Sequence, residues 1–117
     1  MNGEKLEIHG SSLRKTNFEN SVLRETSIFD SDLCEASFKG ATFIKFKSGG
    51  MENADYSYAN FENADLRGAD LNNSIFEGAN FRSADLRGAD LSLAYMVDAK
   101  MENANLEDTI QNNTIWS

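Results

Sequence analysis

Proline is absent from this chain of 117 residues, and cysteine, tryptophan and histidine occur once each. A lone Cys34 rules out an internal disulfide framework and fits a reducing compartment. With His9 as the one imidazole, no second nitrogen or sulfur ligand stands at a metal-binding spacing. Any serine–histidine or cysteine–histidine pair would have to use His9 near the N-terminal end, so no nucleophile–base arrangement is expected. Ser48-Gly49-Gly50 is too short for a phosphate-cradling loop and lacks a following helix. No apolar run approaches membrane-spanning length. Residues 1–7 carry no apolar secretion signal. The expectation is a single-domain cytoplasmic protein that is not an enzyme, with no cofactor, no metal and no membrane association.

Positive charge is also scarce. Eleven lysines and arginines face nineteen aspartates and glutamates, for a net charge of -8. Residues 1–43 nearly balance, residues 44–50 contribute only Lys45 and Lys47, and residues 51–117 hold 12 acidic against 4 basic groups. Such a surface repels nucleic acid and attracts basic partners, so direct nucleic-acid binding is not expected.

What the chain has in abundance is a five-residue period. From residue 51 the large apolar positions are Met51, Tyr56, Phe61, Leu66, Leu71, Phe76, Phe81, Leu86, Leu91, Met96, Met101 and Leu106. Two places before each stands a small residue: Gly49, then alanine throughout except Ser74. The N-terminal block obeys the same rule in another frame, through Ile8, Leu13, Phe18, Leu23, Ile28, Leu33, Phe38 and Phe43, with Leu6 as the exception at its start. Neither the helical period of 3.6 nor the strand period of 2 buries such a pattern on one side. A solenoid whose chain turns a corner every five residues does.

Four such sides make a coil of 20 residues, so residues 20 apart stack. If three extra residues are looped out between Phe43 and Met51, Phe18, Phe38, Phe61, Phe81 and Met101 fall into one column. Ile8, Ile28, Met51, Leu71 and Leu91 form a second, and Leu23, Phe43, Leu66, Leu86 and Leu106 a third. The fourth holds Leu13, Leu33, Tyr56, Phe76, Met96 and Trp116. The expected architecture is an all-β parallel β-helix of about five coils, about 25 Å long at about 4.8 Å per coil. Its parts are an N-terminal cap (1–7), a first repeat block (8–43), a bulge (44–50) and a second block with the C-terminal end (51–117). Ile110, Ile115 and Trp116 lie at that end, shielded by Trp116 or by a second copy of the chain.

The runs Ala64-Asp65-Leu66-Arg67-Gly68-Ala69-Asp70-Leu71 and Ala84-Asp85-Leu86-Arg87-Gly88-Ala89-Asp90-Leu91 resemble the signature of the pentapeptide-repeat family. The resemblance covers residues 6–116 and implies a right-handed quadrilateral β-helix. Some members of that family are quinolone-resistance proteins that bind type II topoisomerases as acidic, DNA-like rods. The present sequence shares the acidic rod and has neither their long projecting loops nor a C-terminal helix pattern.

On the outside, two acidic rows are candidates for phosphate mimicry: Asp65 with Asp85, and Asp70 with Asp90. The same side chains also suit capping of backbone N–H groups at turns. Glu62, Arg82 and Glu102 stack as an alternating charge ladder. Ile75, Tyr95 and Ile115 form an outward apolar row with Val97 and Tyr58 nearby, a candidate protein-contact patch. Cys34 is an outward thiol with no activating neighbour. The reading is a protein-binding or scaffold module built as a rigid acidic rod, with an unidentified protein partner. A homodimer through the C-terminal end or the Tyr95 side is left open. The alternative is a DNA-mimicking modulator of type II topoisomerase.

Overall fold

The computed structural model describes residues 6–48 and 53–117, together with the backbone of residues 2–4. Small and large residues alternate inward at every side, and the chain winds into a four-sided parallel coil. Three sheet strands stack on one side in the order β1 (Asn2–Glu4), β3 (Val22–Arg24), β5 (Thr42–Ile44). The next side stacks β2 (Glu7–His9), β4 (Ser27–Phe29) and β6 (Lys47–Ser48). Beyond residue 53 the ladder continues as single parallel bridges at 20-residue spacing, such as Asp65 to Asp85 and Asp85 to Asn105. Each rung is a pair of backbone bonds: Leu66 N–H donates to the Asp85 carbonyl at 2.8 Å, and Asp85 N–H to the Ala64 carbonyl at 3.0 Å.

The corners explain the five-residue step. The N–H of the small residue donates to the carbonyl of the preceding large one, as Ala64 does to Phe61 at 3.0 Å. The residue between them at the apex has a positive φ, 61° at Asn63. That is the geometry of a type II turn, which favours asparagine or glycine at its third position. At the corners after β3 and β4 the small residues are Thr26 and Ser31, whose hydroxyls donate to the carbonyls of Arg24 (3.5 Å) and Phe29 (3.1 Å).

Inside, the phenylalanine column stands as expected. Phe18, Phe38, Phe61 and Phe81 stack with centroids 4.9, 5.0 and 4.9 Å apart and rings within 4° of parallel. Offset stacks of this kind add about 0.5–1.5 kcal/mol each beyond area burial. Tyr56 stacks on Phe76 in the neighbouring column at 5.0 Å.

The seam between the blocks differs from expectation. Ser48, and not Met51, takes the place between Ile28 and Leu71: Ile28 pairs with Ser48, Lys47 pairs with Asp70, and Ser48 N–H donates to the Asp70 carbonyl at 2.6 Å. Ile44–Ser48 therefore keep the five-residue step, and the register places the three extra residues between Ser48 and Asp55, overlapping only the end of the expected 44–50 bulge. Met51 itself, with Gly49 and Gly50, lies outside the described residues. The physical reason is an exchange of volumes. Phe46 turns inward at the small position, 3% exposed and edge-on to Phe43 at 4.7 Å, and the small Ser48 stands where a large residue belongs. The Ser48 hydroxyl bonds the Tyr56 phenol at 2.8 Å and the Ser74 hydroxyl at 3.3 Å. Burial pushes the Tyr56 phenol pKa well up, and its bond to Ser48 pulls the other way. No buried side-chain polar atom among the described residues lacks a partner.

The N-terminal segment joins the coil. Gly3 pairs with Leu23 and Ile8 with Ile28, so residues 2–4 and 7–9 are two further sides of the coil. The body measures 29 × 26 × 23 Å, a stub and not an elongated rod. No helix among the described residues is long and apolar enough to cross a membrane.

Candidate functional site

An inward pattern that fills the coil leaves function to the outward positions. Four sides follow one another around it: the Tyr95 side, the phenylalanine side, the Asp65 side and the Asp70 side. The Asp70 and Tyr95 sides meet at the corner Asn73, Leu93 and Asn113. Ile75, Tyr95 and Ile115 stack outward through direct ladder pairs, as the 20-residue spacing requires. Ile75 is half-buried, whereas Tyr95 is 37% and Ile115 44% exposed. All three line a shallow groove of about 480 Å³, whose other walls are Asn53, Asp55, Ser57, Asn73, Ser74, Glu77 and Leu93.

Tyr58 and Val97 do not line that groove. Tyr58 is the apex of the next corner, with its exposed ring over Gly78, where a Cβ would meet the ring at 2.4 Å and push it aside. Val97 is half-buried, and its carbonyl accepts Gly78 N–H at 2.9 Å. Leu93, 54% exposed, belongs to the groove and was not foreseen. Its signal in the sequence is a leucine at an apex where the coils before and after carry Asn73 and Asn113.

The acidic rows are bonded to their own corners. Asp65 Oδ1 accepts Arg67 N–H at 3.1 Å, and the Arg67 fork closes on the same carboxylate at 2.9 and 2.8 Å. Asp85 and Arg87 repeat this at 3.2, 2.8 and 2.5 Å. The hydrogen bonds from each arginine are the main cause that holds these two carboxyls below the usual carboxylate range, against a smaller upward push from burial. Asp90 accepts Ser92 N–H at 3.0 Å, and Asp70 accepts the N–H and the side-chain amide of Asn72. Asn60, Asn80 and Asn105 do the same for Glu62, Arg82 and Glu107. Position by position, this outward Asp or Asn closes an Asx turn. Of the expected charge ladder, Arg82 pairs with Glu102 at 3.0 Å, while Glu62 pairs with Lys39 at 3.8 Å.

Cys34 sits between Asp32 and Asp55 on the Tyr95 side. Burial, then the bond to Asp32 and the nearby Asp55 charge, push its thiol up to about 12, so it stays protonated at neutral pH. His9 packs on Phe29 at 4.6 Å and stands 3.7 Å from Asp30. Among the described residues no group of three or more histidine, cysteine or acidic side chains is placed to hold a metal ion.

A parallel coil with five-residue sides, small–large inward pairs and Asx corners defines the class: a β-helical solenoid repeat protein. The family described as pentapeptide repeats (8 copies) matches residues 8–40, 51–82 and 74–110, and the chain belongs to that family, with its right-handed quadrilateral β-helix. Among solved structures, the chain is similar to a pentapeptide repeat protein of the Arabidopsis thaliana thylakoid lumen, at 25% identity and a TM-score of 0.74, over 82% of this chain and 65% of that one. The chain thus spans slightly less than two thirds of that protein. It is also similar in fold to the pentapeptide repeat protein Rfr23 of the cyanobacterium Cyanothece 51142 (20% identity, TM-score 0.60, covering 99% and 91%). A third likeness is to a trypsin-treated form of QnrB1, a plasmid-mediated fluoroquinolone resistance protein (17% identity, TM-score 0.58, covering 93% and 72%). Among curated proteins none matches.

Proposed function

We propose that this chain is a non-enzymatic protein-binding module whose contact surface is the Tyr95 side. The observation that carries the reading is the outward apolar row Ile75, Tyr95 and Ile115, stacked at coil spacing and opening on a groove. Contiguous apolar groups held outward, with the interior already full, are the surface a partner covers. The chemistry fits binding: the one thiol, on the same side, is held protonated, and the one histidine, on the Asp70 side, is engaged with Phe29 and Asp30. A photo-crosslinking side chain placed at Tyr95, with a second placed at Arg82 on the phenylalanine side, tests it in the native cell. Adducts from the Tyr95 position alone support the reading. Equal adducts from both, or none from either, remove it.

A second reading is modulation of a type II topoisomerase. Its support is the net charge of -8 and the fold shared with QnrB1. Against it, the Asp65 and Asp85 carboxylates are occupied by Arg67 and Arg87, which places two cations in a row that a phosphate mimic would keep anionic. A gyrase supercoiling assay with and without a fluoroquinolone decides this. Unchanged supercoiling and unchanged drug inhibition at micromolar protein would eliminate the second reading.

A further inference from the structure

We infer that the Tyr95 groove takes a short extended segment of a partner protein carrying two apolar anchors flanked by lysine or arginine. This rests on the protein-binding reading above and adds the chemistry of the partner. Beyond residue 53, the four basic residues all lie on two sides of the coil: Arg82 and Lys100 on the phenylalanine side, Arg67 and Arg87 on the Asp65 side. The Asp70 and Tyr95 sides of the same block carry Asp55, Asp70, Glu77, Asp90 and Asp98 with no lysine or arginine, and Lys47, the ladder partner of Asp70, stands one coil below. None of these five carboxylates forms an ion pair among the described residues, whereas Asp65, Asp85 and Glu102 do. Asp55 and Glu77 stand on the groove wall itself. An apolar floor with unneutralised acidic rims is complementary to an apolar segment with cationic flanks, and like charge on the flanks is rejected.

Leu93 points the same way from a separate observation. It holds φ at 60° at a corner where the neighbouring coils use asparagine, and it remains 54% exposed. A left-handed conformation disfavours leucine, and burial in the fold does not offset that cost. Positive φ is the rule at the apices of this coil, Tyr58 included, so it is the exposed apolar side chain on the groove wall, and not its backbone, that extends the contact surface. Leu93 lines the groove together with Glu77 and Tyr95. From Ile75 to Ile115 the row climbs two coils, about 10 Å at about 4.8 Å per coil. That length accommodates about three residues of extended chain, hence two anchors on one face of the segment.

Three capped heptapeptides test the inference by amide chemical-shift titration of the whole chain: leucine and phenylalanine one residue apart among lysines, the same anchors among glutamates, and lysine throughout. The expected result is that the first shifts the amides of Ser57, Ile75, Glu77, Leu93 and Tyr95, and that the other two bind at least about tenfold more weakly. Leu93→Asn and Tyr95→Ser should each weaken the first peptide about tenfold, the loss typical of a central anchor. Leu93→Asn should meanwhile melt no lower than the parent, which separates lost contact from lost fold. Equal binding of the lysine and glutamate peptides overturns the cationic chemistry, and so do shifts confined to the Asp65 and Arg67 side. Concentration-dependent shifts of the same groove amides without peptide, with a doubled mass, name a second copy as the occupant and also overturn it. In the first and last of these cases Tyr95 crosslinking persists and the contact reading stands. If crosslinking at Tyr95 fails as well, both fall.

Discussion

Two lateral halves of the C-terminal block enclose the same interior, and their outer surfaces differ sharply. The phenylalanine and Asp65 sides are laced by charge pairs: Arg67 on Asp65 at 2.8 Å, Arg87 on Asp85 at 2.5 Å, Arg82 on Glu102 at 3.0 Å. The Asp70 and Tyr95 sides hold no cation and present Leu93, Tyr95 and Ile115 to solvent. Ladder bonds and corners are alike in both. The lesson is a separation of duties: inward pairs and backbone rungs set the fold, so outward positions can diverge without altering it.

The heaviest blow to the comparison is one that removes the shared interior. Phe61→Ala should cost about 3–5 kcal/mol, because Phe61 stacks between Phe38 and Phe81 and leaves a cavity beneath both halves. Denaturant unfolding measures it, and a loss below about 1 kcal/mol would mean the column does not carry the coil. Next comes the seam. Ser48→Ala deprives the buried Tyr56 phenol of its partner at 2.8 Å and should cost about 1–3 kcal/mol. An unchanged midpoint would mean that the Ser48–Tyr56 bond does not hold the seam.

A smaller effect belongs to the charge-paired half alone. Arg67→Gln with Arg87→Gln removes the partners that hold the Asp65 and Asp85 carboxyls low. A carboxylate with a depressed folded pKa contributes stability above its unfolded pKa, near about 4, and loses it as pH falls through the folded value. The parent should therefore melt above the double variant at pH 6, by less than the Ser48→Ala loss, since exposed pairs contribute little. The gap should close as pH drops well below 4. A gap that widens in acid would reverse the assignment.

How much of this was legible beforehand follows from what repeats. Phe18, Phe38, Phe61 and Phe81 reveal their column because one residue type recurs at one spacing. The stacked row Ile75, Tyr95 and Ile115 follows from the same arithmetic. The seam was not legible, because Gly49 and Met51 fit the small–large rule better than Phe46 and Ser48 do. The ladder pairs of Ser48 with Ile28 and of Lys47 with Asp70, and the contact of Ser48 with Tyr56 and Ser74, reveal the exchanged pair. The clue was present in two deviations, a tyrosine among the large positions and a serine in the alanine run, but neither says that they meet. Leu93 was missed because apex positions follow backbone conformation and carry no apolar period. Asp65 and Asp85 were recognised as turn residues or mimics, and the forks of Arg67 and Arg87 required side-chain geometry.

The account's main assertion is that the Tyr95 half is apolar for contact and not for stability. The most direct check is a thermal melt of one variant carrying Ile75→Ser, Leu93→Asn, Tyr95→Ser and Ile115→Ser together. None of the four fills the interior, so the variant should retain the β-helix circular dichroism of the parent and melt within about 5 °C of it. An unfolded protein, or a melting temperature lower by more than about 10 °C, would contradict the account.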